Sequence, residues 1–259
     1  MKELKLLFIG NSFAEDTMEH AAGVARSLGV EKMKLGVLFF GGCPIEMHYQ
    51  HTVEDLAVYS LRINEGDGWH STPEFTVDEA VKMEKWDYIA IQHGTKNGNR
   101  YTSPECYEKL TPLIEHVRSI AQGEPKIIFN LTWMGESTKQ HHEILSYGGD
   151  ISAMRAALED VTREVILGNP NVDILAPTGT AIENARTTGI GLLTRDCYHL
   201  SVDKGRYIAA LTFMSCVLGV DAGEIDWMPE GVGEYAREVA IAAARAAIKN
   251  PLKVTKLDI

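Results

Sequence analysis

The chain has 259 residues, 45% of them hydrophobic and 24% charged, with a formal net charge of −11. That composition supports one sizeable core and excludes global disorder, while the acidic balance excludes nucleic acid as a partner, because neutralising phosphates requires clustered Lys and Arg. No apolar run is long enough to cross a bilayer, and the four cysteines, Cys43, Cys106, Cys197 and Cys216, include no CxxC pair, which fits reduced thiols better than a zinc knuckle or disulfide framework.

The first apolar run, residues 4–9, stops at Gly10-Asn11-Ser12. It is too short for a signal h-region and has no small-residue cleavage site, so it predicts a buried first strand and, with the thiols, a cytoplasmic location. Met18, Ala21, Ala22 and Ala25 follow at helical spacing up to Gly29. Two further strand candidates, 33–40 and 86–92, end in sharp turns, Gly41-Gly42-Cys43-Pro44 and His93-Gly94. Between them, 56–63 alternates in part and Glu65-Gly66-Asp67-Gly68 is a turn signal, which predicts a β-hairpin insertion around 55–76.

Helical spacing resumes over 104–121, followed by a strand over 126–132, a helix over 152–167 and a strand over 172–176. Helices over 202–218 and 235–249 close the pattern before an irregular tail after Pro251. Strands alternating with helices predict a three-layer α/β/α sandwich around a central, mainly parallel sheet, flavodoxin-like, with its site at the C-terminal strand ends. No linker, repeat or low-complexity tract divides it, so a single domain over 1–259 is expected.

Ser12 sits directly after a buried strand in a turn that opens a helix, where backbone N–H groups converge beside its hydroxyl. The plainer alternative is that it caps that helix. Far downstream, Thr194-Arg195-Asp196-Cys197-Tyr198-His199-Leu200-Ser201 places a carboxylate three residues before a histidine. Asp196 can hold one ring nitrogen of His199, leaving the other to take a serine proton as general base. Each half alone reads as a cap or a surface histidine, and together they read as a nucleophile with its base.

Other residues compete. His48, His51, His70, His93, His141 and His142 show no metal-ligand spacing on a helix, so neither metal nor other cofactor is expected. His48 and His93 flank the motif turns and either line the pocket or belong to the core. Trp69, Trp133 and Tyr198 form either a wall for substrate or ordinary packing. Cys43 and Cys197 lie beside motif residues with no evident base of their own and read as packing.

Leu7-Phe8-Ile9-Gly10-Asn11-Ser12-Phe13, Gly41-Gly42-Cys43, Trp86-Asp87-Tyr88 through Ile91-Gln92, and Arg195 through Ser201 with Gly205-Arg206-Tyr207 carry a family likeness. Together they resemble the SGNH/GDSL hydrolase superfamily, and most closely its uncharacterised DUF4886 branch. The resemblance implies ester hydrolysis through an acyl-enzyme, with the oxyanion bound by the serine N–H, a glycine N–H and an asparagine side chain. Ser12 and Gly42 map onto the first two. The third block departs from the family pattern: Gly94-Thr95-Lys96-Asn97 puts lysine where the superfamily has asparagine, leaving Gln92 or Asn97 as the amide donor.

The expected function is a serine hydrolase cleaving a small acyl ester, an acetyl ester of a carbohydrate or similar small molecule. The alternatives are a catalytically weak carbohydrate- or small-molecule-binding protein on the same scaffold, and a metal-dependent hydrolase. A small-molecule ester is the expected partner, without membrane, and homo-oligomerisation is left open.

Overall fold

A computed structural model describes residues 2–94, 102–135 and 145–259. Its centre is a seven-stranded sheet in the order β4-β3-β2-β1-β5-β6-β7. The strands are β1 (Glu3–Gly10), β2 (Lys32–Phe39), β3 (Tyr59–Asn64), β4 (His70–Phe75), β5 (Tyr88–Ile91), β6 (Lys126–Asn130) and β7 (Ile174–Ala176). From β2 to β7 every neighbouring pair is parallel, and β3 and β4 add antiparallel to the β2 edge. Residues 59–75 thus form the expected hairpin, but its first strand pairs with β2 and widens the sheet.

The mainly apolar runs have a direct physical cause. Leu4, Leu6 and Phe8 of β1 enter one buried cluster while Leu7 and Ile9 enter the other, because successive side chains point to opposite faces and both faces are covered. β5 repeats this, with Ala90 in the first cluster and Ile89 and Ile91 in the second. Over the first face lie α1 (Ser12–Met18), α2 (Ala21–Ser27), α7 (Thr178–Arg186), α8 (Lys204–Leu218) and α9 (Glu234–Lys249). Over the second lie α3 (Ile45–Val53), α4 (Val77–Lys82), α5 (Leu110–Ile120) and α6 (Ile151–Val161).

Several boundaries differ from the sequence reading. The helix after Ser12 is two helices, broken at Glu19-His20, where the His20 ring reaches the Val202 carbonyl at 3.0 Å. The pattern at 104–121 begins as a 3₁₀ turn, Pro104–Tyr107, before α5, and α6 runs on into a π-helical turn, Thr162–Ile166. Three helices, α3, α4 and α7, were not anticipated. All of α7 from Thr178 to Ala185 is buried, so it shows no amphipathic stripe, and its polar groups find partners elsewhere: Thr178 on Asn130 and Thr180 on the Pro251 carbonyl. Among the described residues, no helix is long and apolar enough to cross a membrane.

Candidate active site

The first three parallel strands of the central sheet, β1, β2 and β5, bring their C-terminal ends together, and the turns beyond them form one cluster. Asn11, not Ser12, caps α1: its Oδ1 accepts the Phe13 N–H at 3.0 Å. Its Nδ2 donates to the carbonyls of Cys43 and His93, each at 3.2 Å, so a single amide joins the turns after all three strands. With the cap supplied by its neighbour, Ser12 is the first residue of the helix and its Oγ is available to other groups.

That hydroxyl lies 2.8 Å from His199 Nε2, although 187 positions separate the two residues. His199 Nδ1 is 2.7 Å from Asp196 Oδ2, and the other Asp196 oxygen accepts the backbone N–H groups of His199 at 2.8 Å and Tyr198 at 3.2 Å. Partial burial works against ionisation of Asp196, but these hydrogen bonds prevail and hold its carboxyl below the usual range. An ionised carboxylate only accepts, so Nδ1 carries the ring proton and Nε2 presents a lone pair to Ser12. The structure therefore brings Ser12, His199 and Asp196 into one hydrogen-bonded line.

The loop that carries the pair closes on itself. Thr194 bridges to Leu200, Arg195 N–H donates to the His199 carbonyl at 2.9 Å, and Ser201 N–H to Leu193 at 2.7 Å. Cys197 takes a left-handed backbone at φ 74° inside it, a conformation a side chain adopts only when its surroundings hold it there. Trp133 braces the loop from outside, donating from Nε1 to the Tyr198 carbonyl at 2.7 Å while its ring packs on Phe13 at 4.8 Å.

Gly42 lies in the turn after β2 with φ 65°, and neither its N–H nor that of Ser12 donates to a backbone carbonyl among the described residues. Gly94 passes so close to this turn that a Cβ on it would lie 2.1 Å from the Cys43 oxygen. Gln92 requires a correction as an oxyanion donor. It is fully buried, donating from Nε2 to Asn11 Oδ1 at 2.8 Å and accepting from Asn130 Nδ2 at 3.0 Å, which makes it a support beneath the serine turn. Asn130 in turn accepts from Thr178 Oγ1 at 2.8 Å. Asn97 and Lys96, like His141 and His142, lie outside the described residues.

The histidines beside the motifs are interior groups. His48 meets the Tyr59 hydroxyl at 2.9 Å and His93 meets Thr132 Oγ1 at 2.5 Å, and burial pushes both imidazoles down to about 3. Both are therefore neutral at physiological pH. Trp133 and Tyr198 adjoin the Ser12–His199–Asp196 line, whereas Trp69 sits in the hairpin region beneath the Arg62 guanidinium. Cys43 is buried and Cys197 half-buried. Among the described residues, no group of three or more His, Cys, Asp or Glu is placed to hold a metal ion. Sequence reasoning missed the roles of Asn11 and Asn130, and it weighed Trp133 only as substrate wall or packing, not as a brace on the Tyr198 carbonyl. Only Asn11 carried a local signal, a cap residue immediately before a helix.

A mostly parallel sheet covered by helices on both faces is a fold this chain shares with solved structures of low sequence identity. LAE5, an α/β hydrolase enzyme from the metagenome of Lake Arreo, Spain, is similar in fold at a TM-score of 0.50 and 14% identity, with 86% of this chain and 97% of that one covered. An acetylxylan esterase from Geobacillus stearothermophilus, Axe2, aligns at a TM-score of 0.47 and 16% identity, covering 90% and 100%. The chain belongs to the family "Domain of unknown function (DUF4886)", which it matches over residues 5–247. A DUF4886 family protein from Bacteroides uniformis ATCC 8492 is 32% identical, with a TM-score of 0.90 and 98% of each chain covered. No curated protein matches the sequence.

Proposed function

We propose that this protein is an SGNH-type serine hydrolase that cleaves a small acyl ester, an acetyl ester of a carbohydrate or similar small molecule, through an acyl-enzyme on Ser12. The observation that carries this reading is the line from Ser12 Oγ through the His199 ring to Asp196, at 2.8 and 2.7 Å. As Ser12 Oγ attacks the ester carbon, its proton passes to His199 Nε2, and Asp196 steadies the imidazolium that forms. The carbonyl oxygen, now negative, takes hydrogen bonds from the Ser12 and Gly42 N–H groups. His199 then returns the proton to the departing alcohol, and a water activated by the same ring releases the acid and frees Ser12.

Purified protein is expected to release p-nitrophenol from p-nitrophenyl acetate and to be labelled on Ser12 by a fluorophosphonate. A Ser12→Ala variant that hydrolyses the ester at the wild-type rate would overturn the proposal.

A second reading, a catalytically weak binding protein for carbohydrates or other small molecules on the same scaffold, draws on the commitment of the Gln92 amide to Asn11 and Asn130. Among the described residues this leaves two donors, and loss of one oxyanion donor costs about 2.7–4 kcal/mol of transition-state stabilisation, which slows turnover. Saturable sugar binding together with no fluorophosphonate labelling of Ser12 would favour it.

A further inference from the structure

Asp16 stands on α1 one turn after Ser12, and its carboxylate is completely buried. A charge removed from water is retained only where strong partners replace the lost hydration. Oδ1 accepts from Arg195 Nη1 at 3.0 Å and from Arg206 Nε at 2.8 Å, and Oδ2 accepts the Leu200 backbone N–H at 2.7 Å. Arg206, near the start of α8, also meets Glu19 at 3.3 Å.

The identity of these partners matters more than their number. Arg195 immediately precedes Asp196, and Leu200 immediately follows His199, so the Asp16 carboxylate grips the catalytic loop at both of its ends. Arg195 turns back as well, its Nη1 donating to the Leu200 carbonyl. The Tyr198 carbonyl, on the other side of His199, is held by Trp133. Asp196 itself is half-exposed and has no anchor of this kind among the described residues. The nucleophile and the clamp on its base therefore share one helix, with a single turn between them.

We propose that Asp16 is the positioning residue of the triad, fixing the loop of Asp196 and His199 to the helix of Ser12. The proposal rests on the reading of Ser12 as a nucleophile with His199 as its base. Three donors converge on Asp16, and they require an acceptor on both oxygens. Asparagine has the same shape but turns an NH₂ toward either the arginines or the Leu200 N–H, so one set of donors loses its partner, and both guanidiniums lose the Asp16 charge while Arg206 keeps Glu19.

Asp16→Asn and the wild type are compared by steady-state hydrolysis of p-nitrophenyl acetate and by proton NMR of the His199 Nδ1–H, assigned through its disappearance in His199→Gln. The variant is expected to lose this downfield resonance and to show kcat lowered by about 100-fold, the effect of misplacing reacting groups by about 1 Å, with KM within about twofold. Val117→Ala, in α5 on the opposite face of the sheet, lowers the melting temperature as a general packing defect and is expected to retain both the resonance and kcat. Should Asp16→Asn fail to fold, Arg206→Gln, which leaves Asp16 with Arg195 and Leu200, is expected to move both readouts in the same direction by less. A wild-type resonance and wild-type kcat in Asp16→Asn, or in Arg206→Gln if it replaces that variant, overturn the proposal. If the wild type cleaves no ester yet Asp16→Asn abolishes the resonance, the hydrolase reading fails and the positioning role stands.

Discussion

Gly94 is packed against the Cys43 carbonyl so closely that a methyl group on it would lie 2.1 Å from that oxygen and 2.6 Å from the Gly42 oxygen. The turn after β5 is thereby held against the turn that carries the Gly42 N–H. A side chain cannot enter there without moving backbone, which is less yielding than the end of a flexible side chain. Gly94→Ala is expected to reduce stability by about 1–3 kcal/mol, as overpacking does, and to lower kcat for p-nitrophenyl acetate by displacing Gly42. Thermal denaturation and steady-state kinetics check the two effects, and a variant with wild-type Tm and kcat would show that the two turns are not rigidly coupled.

Gln92 and Asn11 support a second expectation. Gln92 lies between Asn11 and Asn130 in a buried chain of side-chain hydrogen bonds that ends at Thr178. Gln92→Leu keeps the approximate volume but removes a donor to Asn11 Oδ1 and the acceptor for Asn130 Nδ2 at 3.0 Å. Each buried group left unpaired costs about 1–3 kcal/mol. The Tm should fall by about 2–4 °C for each kcal/mol lost in a chain of this size. A Tm unchanged by the substitution would remove the amide chain from the account of stability.

Acid should destabilise the fold before most carboxylates titrate. Burial pushes His48 down to about 3, with His51 adding to the effect, and burial alone does the same to His93. In the unfolded chain both take up protons below about pH 6.5, whereas the native state resists until about pH 3, so the unfolded state binds more protons throughout that window. Their contribution is complete above pH 6.5 and declines as pH falls toward 3, by about 1.4 kcal/mol per pH unit for each histidine. Urea unfolding between pH 7.5 and 5.5 reads this slope, to which His20, also lowered by burial, adds, and His93→Gln should reduce it. An identical slope in the variant would exclude His93 as a source.

The strand runs and their sharp ends were legible because a parallel strand buried on both faces is mostly apolar, and the buried centres of β1, β2, β5 and β6 follow that rule. The helices with one exposed face were legible for the same kind of reason. α7 was not, because it is buried nearly all round and its polar side chains are satisfied by distant residues such as Asn130 and Pro251. Gln92 misled for a related reason: an amide at a strand end can point into a cleft or into the core, and only its neighbours decide which. Asp16 carried no local signal, since its three donors lie about 180 to 190 positions away, where no local pattern reaches.

Alternating strands and helices, a serine at a strand end and an Asp-x-x-His loop are local patterns, and the sequence alone determined them because each depends on neighbours in the chain. The tertiary structure decided which groups meet: that Asn11 caps α1 and frees Ser12, that His199 reaches Ser12 at 2.8 Å, and that Asp16 lies between α1 and the loop. Those contacts depend on the register of the sheet and on the packing of α1 against α8, and these arise only when segments far apart in sequence are buried against one another.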